Sequence, residues 1–139
     1  MCERIQTFAG GGRSLAIALP FDLEEAIESW GALRPAMARA LPEGFTRDEW
    51  AYVMSFVSPE ALGGFVRDAL GAEPVSRCGG VRTLLLRPRG AIAVWLPGNV
   101  SLLGPLTVIL LSLTGNRLRL KADSGGGDLT SAFLTFARG

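Results

Sequence analysis

The run Gly90-Ala91-Ile92-Ala93-Val94-Trp95-Leu96-Pro97-Gly98-Asn99-Val100 leads through a leucine-rich stretch to Leu113-Thr114-Gly115-Asn116-Arg117-Leu118-Arg119-Leu120-Lys121. These residues decide how the chain reads. Ala91–Trp95 is a short apolar run bounded by turn signals, the pattern of a strand buried on both faces. Residues 101–114 read as an apolar helix, closed by Gly115 because glycine accepts the left-handed conformation at a helix end. Arg117–Lys121 alternates charged and apolar side chains and reads as the next strand. Beyond the glycine-rich loop Ser124–Gly127, Asp128 is placed to cap a last helix over residues 129–137. Strand, helix, strand and helix with short connections is the pattern of a parallel sheet with crossover helices. Just upstream, Val81–Leu86 is rich in strand formers, and Arg87-Pro88-Arg89-Gly90 reads as a turn.

No charged residue lies between Arg89 and Arg117, so a membrane span has to be weighed. Leu96-Pro97-Gly98-Asn99 puts a helix breaker, a flexible residue and a polar amide inside that stretch, and Pro105 follows. A strand, a turn and a buried helix account for it better than a span. Residues 15–20 are too short for the apolar core of a secretory signal.

The first third reads as helical. Asp22 is a candidate N-cap, with Glu24 and Glu25 in the first turn where the helix dipole favours acids. Leu23, Ala26, Ile27 and Trp30 recur at helical spacing. Pro35 breaks or restarts the helix. Thr46 and Glu49 form the two halves of a capping box ahead of Trp50, Val53, Met54 and Val57. Ser58-Pro59-Glu60 is a further start signal, and Gly71 ends that helix. The aromatic and methionine content here is read as packing. The expected organisation is a mainly helical segment over residues 1–80 and the first part of a parallel-sheet domain over residues 81–139.

Composition narrows the chemistry. The 139 residues include no histidine, so Ser-His-Asp and Cys-His catalysis and histidine metal sites are excluded. Cys2 and Cys78 are too far apart for a CxxC motif. Without a disulfide framework or a secretory signal, the expected compartment is the cytoplasm. A net charge of +1 gives no whole-protein field toward nucleic acid. The charge is uneven, however: residues 1–70 carry ten acids and six arginines, and residues 71–139 carry three acids and eight bases. The basic half suits an anionic ligand without requiring one.

Ligands of open α/β sheets sit beyond the carboxyl ends of the strands. The two loops there are Leu96–Val100 and Lys121–Asp128. Asn99, directly after a Pro-Gly turn, either donates its amide N–H to a substrate oxygen or holds its own backbone, the commoner use. Lys121 is the one lysine beside thirteen arginines, a compact ammonium suited to phosphate or ribose oxygens.

The quoted stretches resemble the aldehyde dehydrogenase superfamily, whose pattern is a strand, Pro-x-Asn, an apolar helix, Gly-Asn and a strand ending in Lys. The Gly98-Asn99-Val100 form and the Thr114-Gly115-Asn116 turn are most similar to acyl-CoA reductases of the bioluminescence fatty-acid reductase type. The match spans residues 87–137. It implies a Rossmann-like nucleotide-binding domain, here incomplete, and an NADPH-dependent reduction of a fatty acyl thioester to an aldehyde. In such enzymes a cysteine thiolate displaces coenzyme A from acyl-CoA, and hydride then reduces the acyl-enzyme. By the same resemblance Asn99 takes the place of the asparagine that donates to the developing oxyanion. Pro97 and Lys121 line the cofactor side, with Lys121 on the adenosine ribose or its 2′-phosphate. Ser124 stands where many relatives carry a ribose-binding Glu, which favours NADPH, while neighbouring Asp123 works against it.

The family's nucleophilic cysteine and pyrophosphate-binding glycine turn normally lie beyond residue 139, and Cys78 sits on the wrong side of the cofactor loops. The chain therefore reads as the N-terminal part of an acyl-CoA reductase, inactive alone, with a missing C-terminal part or a homo-oligomeric partner to complete its sheet. The rival reading is a non-catalytic nucleotide-binding or assembly module. A third is a membrane-associated peptide using residues 90–116.

Overall fold

The computed structural model describes residues 5–6, 17–18, 21–70, 90–97, 99–121 and 129–139. The helical part begins at α1 (Leu23–Ala32), where the Asp22 carboxylate accepts from the Glu25 N–H at 3.1 Å. The short α2 (Arg34–Met37) restarts the chain with Pro35 in its first turn, where a missing N–H costs nothing. Helix α3 (Arg47–Phe56) has both halves of its capping box: Glu49 N–H donates to Thr46 Oγ1 at 3.2 Å, and Thr46 N–H donates to Glu49 Oε2 at 2.9 Å. Helix α4 (Pro59–Leu70) starts as expected, with Ser58 Oγ accepting from Ala61 N–H at 3.1 Å. Gly71 lies outside the described residues.

Two tryptophans organise the core. Trp50 is edge-on to Phe45 and to Phe136, each at a centroid distance of 4.9 Å, and its Nε1–H donates to the Met37 carbonyl at 2.9 Å. Trp30 stacks on Phe133 at 5.8 Å, and its Nε1–H donates to Ser112 Oγ at 2.7 Å. Phe133 belongs to α6 (Thr130–Ala137) and Ser112 to α5 (Leu103–Ser112), so the helices of residues 21–70 share one hydrophobic cluster with Val108, Ile109, Leu113 and Leu129.

The sheet of this half is β3 (Ala91–Trp95) beside β4 (Arg117–Lys121), parallel and in the register Ala91↔Arg117 through Trp95↔Lys121. Helix α5 makes the crossover between them, burying Gly104, Pro105, Val108 and Ile109. The fold is therefore mixed helix and sheet with a parallel pair. A separate antiparallel bridge, β1 (Ile5–Gln6) with β2 (Ile17–Ala18), had no counterpart in the sequence reading.

The expectation that Ala91–Trp95 is buried on both faces is corrected. Burial alternates along both strands: Ile92, Val94, Leu118 and Leu120 are half-buried, while Ala91, Ala93, Trp95, Arg117, Arg119 and Lys121 are exposed. The alternation of β4 explains this, because a row of three cations on one face resists being covered by an apolar layer. The expected helix over residues 101–114 is shorter at both ends: residues 101–102 form a turn, and Gly115 closes the far end at φ +69°. The last helix starts at Thr130, with Leu129 at the N-cap and no side-chain cap bond. Asp128, the loop Ser124–Gly127, the candidate strand Val81–Leu86 and the turn residues 87–89 lie outside the described residues. Among those described, no helix is long and apolar enough to cross a membrane, and the uncharged stretch forms β3, a loop and the 10-residue α5.

Candidate functional site

Pairing of Trp95 with Lys121 brings the carboxyl ends of β3 and β4 side by side. The Leu96 N–H continues the ladder by donating to the Lys121 carbonyl at 3.1 Å, so the chain leaves β3 toward Pro97 beside the residue where β4 ends. Pro97, Asn99 and Lys121 are all exposed. Among the described residues neither the Asn99 amide nor the Lys121 ammonium has a side-chain partner. The next turn leads into α5, whose N-terminus no side chain caps, leaving its partial positive charge near the Asn99 loop. The structure thus sets Lys121 beside the point where the chain leaves β3 for Pro97 and Asn99. Asp123 and Ser124, in the loop after Lys121, lie outside the described residues, as do Cys2 and Cys78.

Two features that hold this arrangement escaped the sequence reading. The first is Ser101, two residues past Asn99, whose hydroxyl donates to Glu49 Oε1 at 2.6 Å. Glu49 therefore does two jobs. Its other oxygen closes the α3 capping box, accepting from Thr46 N–H at 2.9 Å and from the Thr46 hydroxyl at 2.8 Å. The Asn99 loop is thereby tethered to the helical core through one carboxylate. The second is Asn116, whose Oδ1 accepts from Gly90 N–H at 2.9 Å while its Nδ2 donates to Thr114 Oγ1 at 2.8 Å. This asparagine links the start of β3 to the start of β4 and fixes their register. A Thr-Gly-Asn turn before a strand was the sequence signal for it, although the partner, 26 residues away, could not be read from spacing.

The tether has a pH signature. The Ser101 hydroxyl, then the Thr46 N–H and the Thr46 hydroxyl, hold the Glu49 carboxyl below its ordinary value, and partial burial opposes them weakly. Because the folded value lies below the unfolded one, this stabilisation is complete above the ordinary glutamate value of 4.5 and disappears as pH falls through the folded value. Glu49→Gln is expected to lower stability at neutral pH by about 1 kcal/mol, from a weakened cap and a lost charge-assisted bond. In urea titrations the gap between wild type and variant should close as pH drops below 4.5. An equal gap in acid and at neutrality would show that the Glu49 charge is irrelevant.

Among the described residues no cluster of three or more His, Cys, Asp or Glu side chains comes together to hold a metal. Protein-family models, curated proteins and solved structures yield no match to this chain. The site offers a neutral amide donor and a lone ammonium near the carboxyl ends of two parallel strands, before a helix whose N-terminus has no side-chain cap. That set can orient a carbonyl or phosphoryl oxygen and neutralise an anion. It contains no nucleophile and no general base.

Proposed function

We propose that the chain carries the first strand–helix–strand unit of a Rossmann-like cofactor domain and forms part of an NADPH-dependent acyl-CoA reductase. The supporting observation is the parallel register that pairs Trp95 with Lys121 and so sets the Asn99 loop beside the end of β4. Lys121 meets the ribose or 2′-phosphate of the nucleotide as a point charge. Its exposed ammonium, without a side-chain partner among the described residues, fits that role, and Pro97 shapes the adjoining loop. Asp123 and Ser124 complete the contact by the resemblance described above. The Asn99 amide N–H donates to the acyl carbonyl oxygen as negative charge builds on it, which stabilises the transition state more than the ground state. NADPH, when bound, supplies the hydride. The thiolate that displaces coenzyme A is assigned to neither Cys2 nor Cys78, so the 139 residues alone bind nucleotide without reducing a thioester.

Fluorescence titration of the chain with NADPH and with NADH tests the nucleotide half of this reading. Lys121→Ala is expected to weaken NADPH binding by roughly tenfold, about 1.4 kcal/mol, and NADH binding less. Equal affinity of wild type and variant would remove Lys121 from the site. The gene's protein product tests the chemistry: with a long-chain acyl-CoA it should release a titratable thiol and oxidise NADPH. The uncovered face of the β3–β4 sheet favours a second reading, a non-catalytic nucleotide-binding or assembly module. Nucleotide binding without thiol release would support that one.

A further inference from the structure

The outer face of the β3–β4 pair carries two parallel rows in register. Ala91, Ala93 and Trp95 run along one strand, and Arg117, Arg119 and Lys121 along the other. Trp95 is 70% exposed although it is the largest side chain of the strand. A shallow hollow of about 240 Å³ lies along this part of the pair, lined by Ala93, Val94, Trp95, Arg119, Leu120 and Lys121. A basic, aromatic-walled depression on a flat sheet face selects a partner that offers rings and negative charge together.

The chain carries such a surface on its opposite half. Asp48, Tyr52 and Phe56 follow one another at four-residue spacing along α3 and therefore share one face. Tyr52 stacks on Phe56 at 6.4 Å, and Phe56 meets Phe65 of α4 at 4.9 Å. Tyr52 is 53% exposed and Phe65 45%, and exposed Asp68 lies three residues past Phe65 on the same helix. The result is a ridge of three aromatic rings with a carboxylate at either end. Only Phe56 of the ridge packs against the core, whose fully buried share of α3 is Trp50 and Val53, so Tyr52 and Phe65 are left facing outward.

We propose that the aromatic ridge of one copy of this chain docks on the basic sheet face of the next, in a head-to-tail contact. Charge complementarity carries the assignment: exposed Arg117, Arg119 and Lys121 line the sheet face, exposed Asp48 and Asp68 flank the ridge, and both surfaces also present aromatic area. Tyr52 or Phe65 enters the hollow beside Trp95. Guanidinium groups of Arg117 and Arg119 stack on the ridge rings and pair with Asp48 and Asp68, the geometry at which arginine surpasses lysine. Because two different patches meet, the contact is heterologous, and it closes into a ring or extends as a filament.

Sedimentation velocity on the 139-residue chain tests this. The wild type should self-associate with rising concentration at low ionic strength, and added salt should weaken the association. Arg119→Glu and the pair Asp48→Arg with Asp68→Arg should each weaken it by roughly tenfold or more. All these positions are exposed, so unchanged circular dichroism certifies folding, and Arg117→Glu serves as an independent variant. Lys121 is left intact throughout. The decisive mixture combines the Arg119→Glu chain with the Asp48→Arg, Asp68→Arg chain. Each retains one good surface, so the mixture should form one-to-one pairs that grow no further. A wild type that stays monomeric at low salt, or association unaffected by charge reversal, would overturn the proposal. So would a monomeric wild type that binds an oligothymidylate through Arg119, which would give the face to a polyanion.

Discussion

Replacing Trp50 with alanine is expected to destabilise the protein by about 3–5 kcal/mol, the usual cost of deleting a large buried aromatic. Trp50 is only 5% exposed, and its ring packs against Phe45, Phe133 and Phe136 from three sides. Truncation would open a cavity between α3 and α6, and neither helix can close it without giving up other contacts. It would also leave the Met37 carbonyl, now bonded to Nε1–H at 2.9 Å, without its donor. Trp50→Phe separates the two losses, since it keeps most of the ring volume and discards only the hydrogen bond, and it should cost about 1–2 kcal/mol. A domain of this size has about 5–15 kcal/mol of stability, so the alanine variant should lose a large share of it and unfold at a much lower urea concentration. Near-ultraviolet circular dichroism and urea unfolding would read the difference. An alanine variant no weaker than the phenylalanine one would mean that this core is far looser than its packing indicates.

Local signals were the legible part of the fold. Asp22, the Thr46–Glu49 box and Ser58-Pro59 each satisfy orphan amide donors within three residues, so their meaning is contained in the sequence around them. The two strands could be placed to the residue because turn signals bound both. Long-range choices were not legible. Whether β3 is covered on one face or two depends on what packs against it, and the run Ala-Ile-Ala-Val-Trp has no polar residue to say so. Only the charges of its neighbour, brought alongside by a crossover of more than twenty residues, decide the matter. Ser101 fell to the same difficulty, because its partner Glu49 is 52 residues away and already had a complete local explanation. At the candidate site, Asn99 and Lys121 could be singled out by residue type. The register that places their strand ends together is held by Asn116, whose contribution is visible only in three dimensions.

Gly115→Ala is the substitution expected to transmit most from fold to site. Gly115 sits at φ +69°, where a side chain adds about 1–2 kcal/mol of left-handed strain. A Cβ there would also lie 2.7 Å from Phe21 Cγ and 2.9 Å from Phe21 Cβ, closer than carbon atoms approach. Phe21 would have to move, so the total cost should reach about 2–4 kcal/mol. The displacement falls on the turn that aims Asn116 at Gly90, where Arg117 N–H also donates to the Gly90 carbonyl at 2.9 Å. Loosening that end frees the register from Ala91↔Arg117 onward to Trp95↔Lys121, and with it the pairing of strand ends from which the Asn99 loop departs. Gly90→Ala supplies the comparison: at φ +106° it is strained as well, but a Cβ there would meet nothing within 4 Å. Urea midpoints should therefore rank Gly115→Ala below Gly90→Ala. On the nucleotide-binding role proposed above, NADPH affinity should fall in the Gly115 variant even under conditions where circular dichroism shows it folded. If the two variants proved equally stable, Phe21 would have to be free to step aside, and the turn would not be the rigid element that carries the site.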